Sequence, residues 1–298
     1  MSIRFDNRTA IVTGAGAGLG RAHALGLAAR GCKVVINDFN RDAARAVVAE
    51  ITAMGADALA HTADVSDAVQ AADMVAQCVD TWGRIDIVVN NAGILRDKSF
   101  AKMDMDDFRR VIDVHLMGST YVTHAAWPHM RAAQYGRVVF TSSSSGLYGN
   151  FGQANYGAAK TAMLGLMNVL HIEGARDGIR VNMLAPTATT AMTDQLIPAK
   201  AQGLLAPESI TPGLLYLVSD DAPSRVILSA GAGGFAQTQI RETEGITLSG
   251  DDLTPEGVAA RFADIQNPEG ALDMHDAFSQ TRRFALNAAR LNGLTLDW

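Results

Sequence analysis

Thr13-Gly14-Ala15-Gly16-Ala17-Gly18-Leu19-Gly20 is the stretch that decides the fold. It follows a β-branched run at residues 9–13 and opens an alanine-rich stretch of helical spacing at 19–30. Gly14 suits a tight turn, Gly18 lets backbone approach a pyrophosphate, and Gly20 lets the helix pack close to the strand. The start of that helix turns free N–H groups and a positive dipole end toward phosphates. A glycine-rich turn also serves as a plain structural turn. Its place after the first strand of an alternating chain is the context that nucleotide binding demands.

Working outward, the next apolar run, residues 33–37, ends at Asp38. A carboxylate there, about 20 residues beyond the glycines, accepts hydrogen bonds from both adenosine ribose hydroxyls and repels a 2′-phosphate. The glycine loop holds no Lys or Arg, Phe39 follows the acid, and Arg41 is the nearest cation. The plainer reading of Asp38 is a helix N-cap. The pattern predicts NAD in preference to NADP.

Further short apolar runs lie at 85–90, 137–141, 179–184 and 225–228, with a weaker one at 58–62. Stretches of helical spacing lie between them at 41–54, 67–82, 106–131, 153–177 and 208–219. Strand and helix alternating in this way predict an α/β chain. The expected fold is a Rossmann-type, doubly wound parallel sheet of about seven strands with helices on both faces. Residues 241–298 hold ten acidic and five basic residues, so they carry −5 of the net −6. They read as an acidic helical C-terminal extension, with helices near 255–265 and 275–292, appended to a nucleotide-binding domain at 1–240.

Composition narrows the function classes. The chain has 298 residues, 48% of them hydrophobic and 19% charged, which suits a globular protein with a real core. It has no Lys/Arg run, so it lacks the footprint of a nucleic-acid binder. It has no apolar stretch of the ~18 residues that a membrane span needs. Two widely spaced cysteines, Cys32 and Cys78, argue against a disulfide framework or a cysteine zinc site and fit a reducing compartment. His124 and His129 lack helical ligand spacing and no third ligand is evident, so no metal is expected. The expected location is the cytoplasm, and the expected partner is a small-molecule substrate.

The chemistry is carried by Ser143, Tyr156 and Lys160. Ser143 ends a strand. Tyr156 and Lys160, four apart, share a helix face. An ammonium beside a phenol favours the phenolate and predicts a tyrosine shifted toward general-base duty. A lone Tyr-x-x-x-Lys is otherwise an ordinary surface pair.

With these motifs the chain resembles the short-chain dehydrogenases/reductases from about residue 5 to residue 235. The glycine turn, Asp64-Val65, Asn90-Asn91-Ala92-Gly93, Ser143, Tyr156 and Lys160 carry the resemblance. It implies Tyr156 as acid/base, Lys160 on the nicotinamide ribose and Ser143 on the substrate oxygen. It also implies Asp64 and Val65 at the adenine, and Asn91 and Gly93 in the cofactor cleft with Gly14, Gly18, Leu19 and Gly20. Pro186 and Thr187 fall near the nicotinamide amide, where the family usually reads Pro-Gly, so a different local turn is expected.

A narrower resemblance is to the (3R)-hydroxyacyl-CoA dehydrogenase unit of the peroxisomal multifunctional enzymes type 2. It rests on residues 91–100, 113–116, 126–130, 146–156 and 253–258, and it implies a fatty 3-hydroxyacyl-CoA substrate. Another bulky secondary alcohol, such as a hydroxysteroid or an aromatic degradation intermediate, fits the same catalytic residues. A nucleotide sensor on this fold has no need of all three. His115 stands where many members carry Asn; it is either a member of the proton relay or a buried structural histidine. Arg96, Lys98, Lys102 and Arg109 are cations that suit CoA phosphates or a solvated face. Met163 and Met167 read as core or interface. Helices 106–131 and 153–177, apolar on too many sides for one subunit, predict a homodimer or homotetramer.

Overall fold

The computed structural model describes residues 2–190 and 198–297. The chain divides into two compact units, Met1–Thr238 and a second from Gln239 onward.

Within the first unit, eight strands form one sheet in the order β3-β2-β1-β4-β5-β6-β7-β8. They are β1 (Thr9–Thr13), β2 (Lys33–Asn37), β3 (Ala58–His61), β4 (Ile87–Asn90), β5 (Gly136–Thr141), β6 (Ile179–Thr187), β7 (Ile227–Gly231) and β8 (Gly234–Thr238). Seven run parallel, and β8 returns antiparallel along β7. The central strands are buried on both faces, which explains their unbroken Val/Ile runs. The sheet order reverses between β1 and β4, and that switch point is where such folds open a crevice for ligands.

The helices obey simple end signals. Those flanking the first strands are α1 (Gly18–Ala28), α2 (Arg41–Ala53) and α3 (Ala68–Trp82). Asn40 caps α2 by accepting from the Asp42 and Ala43 N–H groups. Asp67 caps α3, which stops at Gly83 in the left-handed region. The stretch expected as one helix at 106–131 is α4 (Met105–Ile112), a π-helical turn at Asp113–Met117, and α5 (Gly118–Ala133). Next come α6 (Ser144–Tyr148), α7 (Ala154–Gly174), α8 (Ala199–Gln202) and α9 (Thr211–Leu217). Met163 and Met167 of α7 are buried core.

The eighth strand is a departure from the expected seven. Its five residues, Gly-Phe-Ala-Gln-Thr, have little intrinsic strand preference. A two-residue turn makes it: Ala232 at φ 50° and Gly233 at φ 75° fold the chain back on β7. Strand β6 also runs three residues past the expected end. Pro186 and Thr187 therefore remain in the sheet, opposite Ala230 and Gly231, where a changed turn was expected.

The second unit contains α10 (Pro255–Ala260), α11 (Phe262–Ile265) and α12 (Ala277–Leu291). It is tied internally by a Glu242–Leu272 backbone bridge and by an ion pair between Arg283 and Glu242.

Candidate active site

A cleft of about 720 Å³ opens at the carboxyl ends of β1, β2, β4, β5 and β6. Of the expected cofactor residues, Gly14, Gly18, Leu19, Asp38, Asp64, Val65, Asn91, Gly93, Pro186 and Thr187 line it. So do the four expected catalytic residues, Ser143, Tyr156, Lys160 and His115. Gly20 lies behind the wall. A Cβ there would sit 2.2 Å from the Gly14 carbonyl oxygen, so this glycine permits the close helix–strand contact.

The glycine turn is built for close approach. Gly14 and Gly18 have φ of +61° and +53°, a region that side chains resist. Helix α1 has Ala17 as its N-cap, with no side-chain cap and no acid in its first turn, so its N–H groups stay open to the cleft. Asp38 does two jobs. Its Oδ2 accepts from the Gly16 N–H at 2.9 Å and its Oδ1 from the Asn40 N–H at 2.8 Å, which braces the turn. Each oxygen keeps a lone pair for a ribose hydroxyl. Asn91 is also a brace, since its Nδ2 donates to the carbonyls of Thr13 and Gly14. An uncapped helix start, a cradle with no room for side chains and a carboxylate at the end of β2 together fit an adenine dinucleotide.

Farther along, Asp64 accepts from the N–H and hydroxyl of Ser66 and from Arg110 at 3.0 Å. These bonds outweigh its partial burial and hold its carboxyl below the usual range. Among residues lining the cleft, the side-chain cations are Lys160 and Arg110. Arg96, Lys98, Lys102 and Arg109 are exposed and outside that lining; Arg96 pairs with Asp107 at 3.4 Å. Arg110 carried no motif in the sequence. Only its place one turn before the π-helical segment brings it into the cleft.

Tyr156 and Lys160 project from α7, and Ser143 starts α6 by accepting from the Ser145 N–H at 3.2 Å. Gly146 lets α6 lie against Lys160, whose Cβ a side chain at 146 would strike at 2.6 Å. The Lys160 ammonium donates to the Thr141 carbonyl and stands 5.4 Å from the centre of the Tyr156 ring. Complete burial lowers the Lys160 pKa to about 7. The Tyr156 phenol is raised above its usual value, first by burial, with Asp97 adding to the rise and a hydrogen bond from Ser143 opposing it. The expectation that Lys160 depresses this phenol is therefore not met here, because burial outweighs a cation that is turned toward Thr141.

His115 sits in the π-helical turn, 2% exposed. Its ring meets that of Tyr156 edge-on, with centroids 5.1 Å apart. Its Nε2 lies 3.0 Å from the Ile94 nitrogen and 2.8 Å from the Ile94 oxygen, while Nδ1 is buried with no hydrogen-bond partner among the described residues. Burial, helped by Lys160, pushes the imidazole down to about 3, so it is neutral at physiological pH. Gln153 and Asn155, both buried, tie this region together, and neither was expected as a site residue.

An α/β sheet with a glycine-rich turn at its switch point, beside a serine, a tyrosine and a lysine, defines the class of an oxidoreductase acting on a CH–OH group. The chain belongs to the short chain dehydrogenase family, whose model matches residues 8–201. It is 44% identical over 276 residues to mouse peroxisomal multifunctional enzyme type 2, covering 88% of this chain and 37% of the relative. A (2S)-[(R)-hydroxy(phenyl)methyl]succinyl-CoA dehydrogenase subunit of Thauera aromatica is 38% identical over 227 residues, covering 73% and 91%. Among solved structures, full-length multifunctional enzyme type 2 of Drosophila melanogaster matches with a TM-score of 0.82 and 36% identity, covering 97% of this chain and 50% of that one. A 7α-hydroxysteroid dehydrogenase complexed with NADH and 7-oxo glycochenodeoxycholic acid matches with a TM-score of 0.73 and 31% identity, covering 78% and 95%. The chain thus spans about a third of the mouse relative and half of the fruit-fly one.

Proposed function

We propose that residues 1–240 oxidise a (3R)-hydroxyacyl-CoA with NAD as hydride acceptor. The observation that carries this reading is the convergence of Ser143, Tyr156 and Lys160 on the cleft that holds the glycine turn and Asp38. Gly14, Gly18 and Leu19 cradle the pyrophosphate, and Asp38 takes the adenosine ribose. Asp64 and Val65 face the adenine, while Asn91, Gly93, Pro186 and Thr187 wall the nicotinamide half. Bound NAD supplies a hydride acceptor and a positive charge beside the phenol. Ser143 holds the substrate hydroxyl. Tyr156 takes the hydroxyl proton as the carbon gives up hydride, with the positive charges of bound NAD and of Lys160 offsetting the burial that raises its phenol. His115, neutral, holds the wall at Ile94 against the Tyr156 ring.

The thioester reading is supported by the quoted stretches at 91–100 and 146–156 and by the CoA thioester named for the Thauera relative. A hydroxysteroid is the second reading, favoured by the likeness to the 7α-hydroxysteroid dehydrogenase. NAD reduction with a panel of 3-hydroxyacyl-CoA enantiomers and hydroxysteroids tests both. Turnover of the (3R) thioesters is the expected result, and turnover of steroids alone transfers the assignment. For location we propose the cytoplasm. Free, buried Cys32 and Cys78 support a reducing compartment, and the relatives' peroxisomal names make the peroxisome the rival that imaging of the tagged chain decides.

A further inference from the structure

Between β4 and α4 the chain runs past the cleft, and Ile94 and Leu95 form part of its wall. Three hydrogen bonds fasten the next residues to the start of α7. The Arg96 carbonyl accepts from Asn155 Nδ2 at 2.9 Å, and Asp97 Oδ2 accepts from Gln153 Nε2 at 2.7 Å. The Lys98 N–H donates to the Gly152 carbonyl at 2.9 Å, in a parallel bridge between Lys98 and Gln153. Asn155 is fully buried and Gln153 is 6% exposed, so these amides work away from water. Asn155 has a second bond. Its Oδ1 accepts from the Tyr156 N–H at 2.7 Å, one of the first-turn donors that a helix leaves without an internal partner.

We infer that Asn155 and Gln153 are positioning residues that make the cleft wall at 94–98 and the base Tyr156 one rigid piece. Asn155 joins the two through a single side chain, with the wall on its nitrogen and Tyr156 on its oxygen. Pressure of a substrate on Ile94 or Leu95 is thereby carried to the residue that takes its proton. Asp97 is both an anchor of the wall and a negative charge near the phenol. The groups that bear on Tyr156 come from four elements: Lys160 on its own helix, Ser143 ahead of α6, His115 from the π-helical turn and Asp97 from the wall. Of these, Asp97 is the anion, and it raises the phenol pKa. This inference rests on the proposed alcohol oxidation.

The test compares Asn155→Ala, Asp97→Ala and Asp97→Asn with the wild type. Displacing a base relative to its substrate by an ångström costs up to ~10²-fold in rate. Asn155→Ala and Asp97→Ala are expected to lose about tenfold or more in kcat and to raise the substrate KM, with NADH Kd changed less than about twofold. Asp97→Asn keeps an acceptor for Gln153 and should restore most of the turnover. Its kcat/KM profile should rise at lower pH, because the phenol no longer feels the anion. Wild-type kcat in Asn155→Ala would overturn the inference. So would NADH binding that weakens in step with kcat, which marks a general structural defect, or an Asp97→Asn as impaired as Asp97→Ala. A wild type inert toward every alcohol in the panel would instead remove the proposed activity, and this inference with it.

Discussion

On the proposed function, Tyr156 and Asp38 are the residues at which a single change should tell most. Tyr156→Phe deletes the ionisable hydroxyl and leaves the ring against His115, so turnover should fall by about 10²-fold or more with NADH binding intact. Loss of less than about tenfold, read by stopped-assay kcat alongside fluorescence binding, would mean that another group takes the proton. Asp38→Ala removes the ribose acceptor and also the brace on the Gly16 N–H. NAD affinity should drop, and the preference for NAD over NADP in kcat/KM should shrink. Equal preference in the wild type would show that Asp38 serves only the turn. The place of Tyr156 and Asp38 in the cleft was legible because it depends on spacing along the chain: four residues on a helix, one strand beyond a glycine turn. Gln153 and Asn155 were not, since what they do depends on a segment some 60 residues away, and two amides in a row of polar residues carry no mark of their partners.

At the level of elements, the parallel strands were legible from their uniformly apolar runs, and the helices between them from their helical spacing. Two things were not. Strand β8 exists because a turn at Ala232-Gly233 aims it at β7, and the pair Ala-Gly was the signal to weigh. The π-helical turn keeps helical periodicity on both sides, so the stretch reads as one helix although an extra residue is accommodated at His115. Packing between α1 and α9 makes a pH prediction. His23 on α1 is completely buried beside Thr211 on α9, with Nδ1 3.0 Å from its hydroxyl and a pKa lowered to about 3 by burial. The unfolded chain takes up a proton near pH 6.5, while the folded chain resists until about 3. Stability from this group is therefore present above pH 6.5 and is lost as pH falls toward 3, and His115 contributes with the same sign. Tm measured across that range should fall with pH, and His23→Gln should flatten the slope. A slope unchanged in the variant would place the acid sensitivity elsewhere.

For the whole molecule, the outer face of α7 is the feature to explain. One side buries Met163, Leu164 and Met167 against the sheet, while the other leaves Val169 and Ile172 about half exposed beside Gly165 and Leu166. A helix with apolar residues on both sides is suited to a second copy of itself across a two-fold axis. We predict a homodimer or homotetramer. Sedimentation at micromolar concentration should give at least twice the 31.5 kDa of one chain. A mass of one chain would refute it. Val169→Glu with Ile172→Glu, which leave the buried side untouched, should shift the assembly toward single subunits.

The contact between Gly93 and His115 has a consequence for how this lineage can change. A Cβ on residue 93 would fall 2.2 Å from the His115 Cε1, well inside any tolerated distance. Alanine at 93 is therefore barred while histidine stands at 115, and is admitted only after 115 has become smaller. The two positions form a lock with a fixed order of opening. His115→Ser followed by Gly93→Ala is a passable route, and the reverse order crosses an unstable intermediate. The thermal stabilities of the two single variants and the double variant would show it: Gly93→Ala alone should be the least stable of the three. Ancestors or descendants that carry a side chain at 93 should then be found without a histidine at 115.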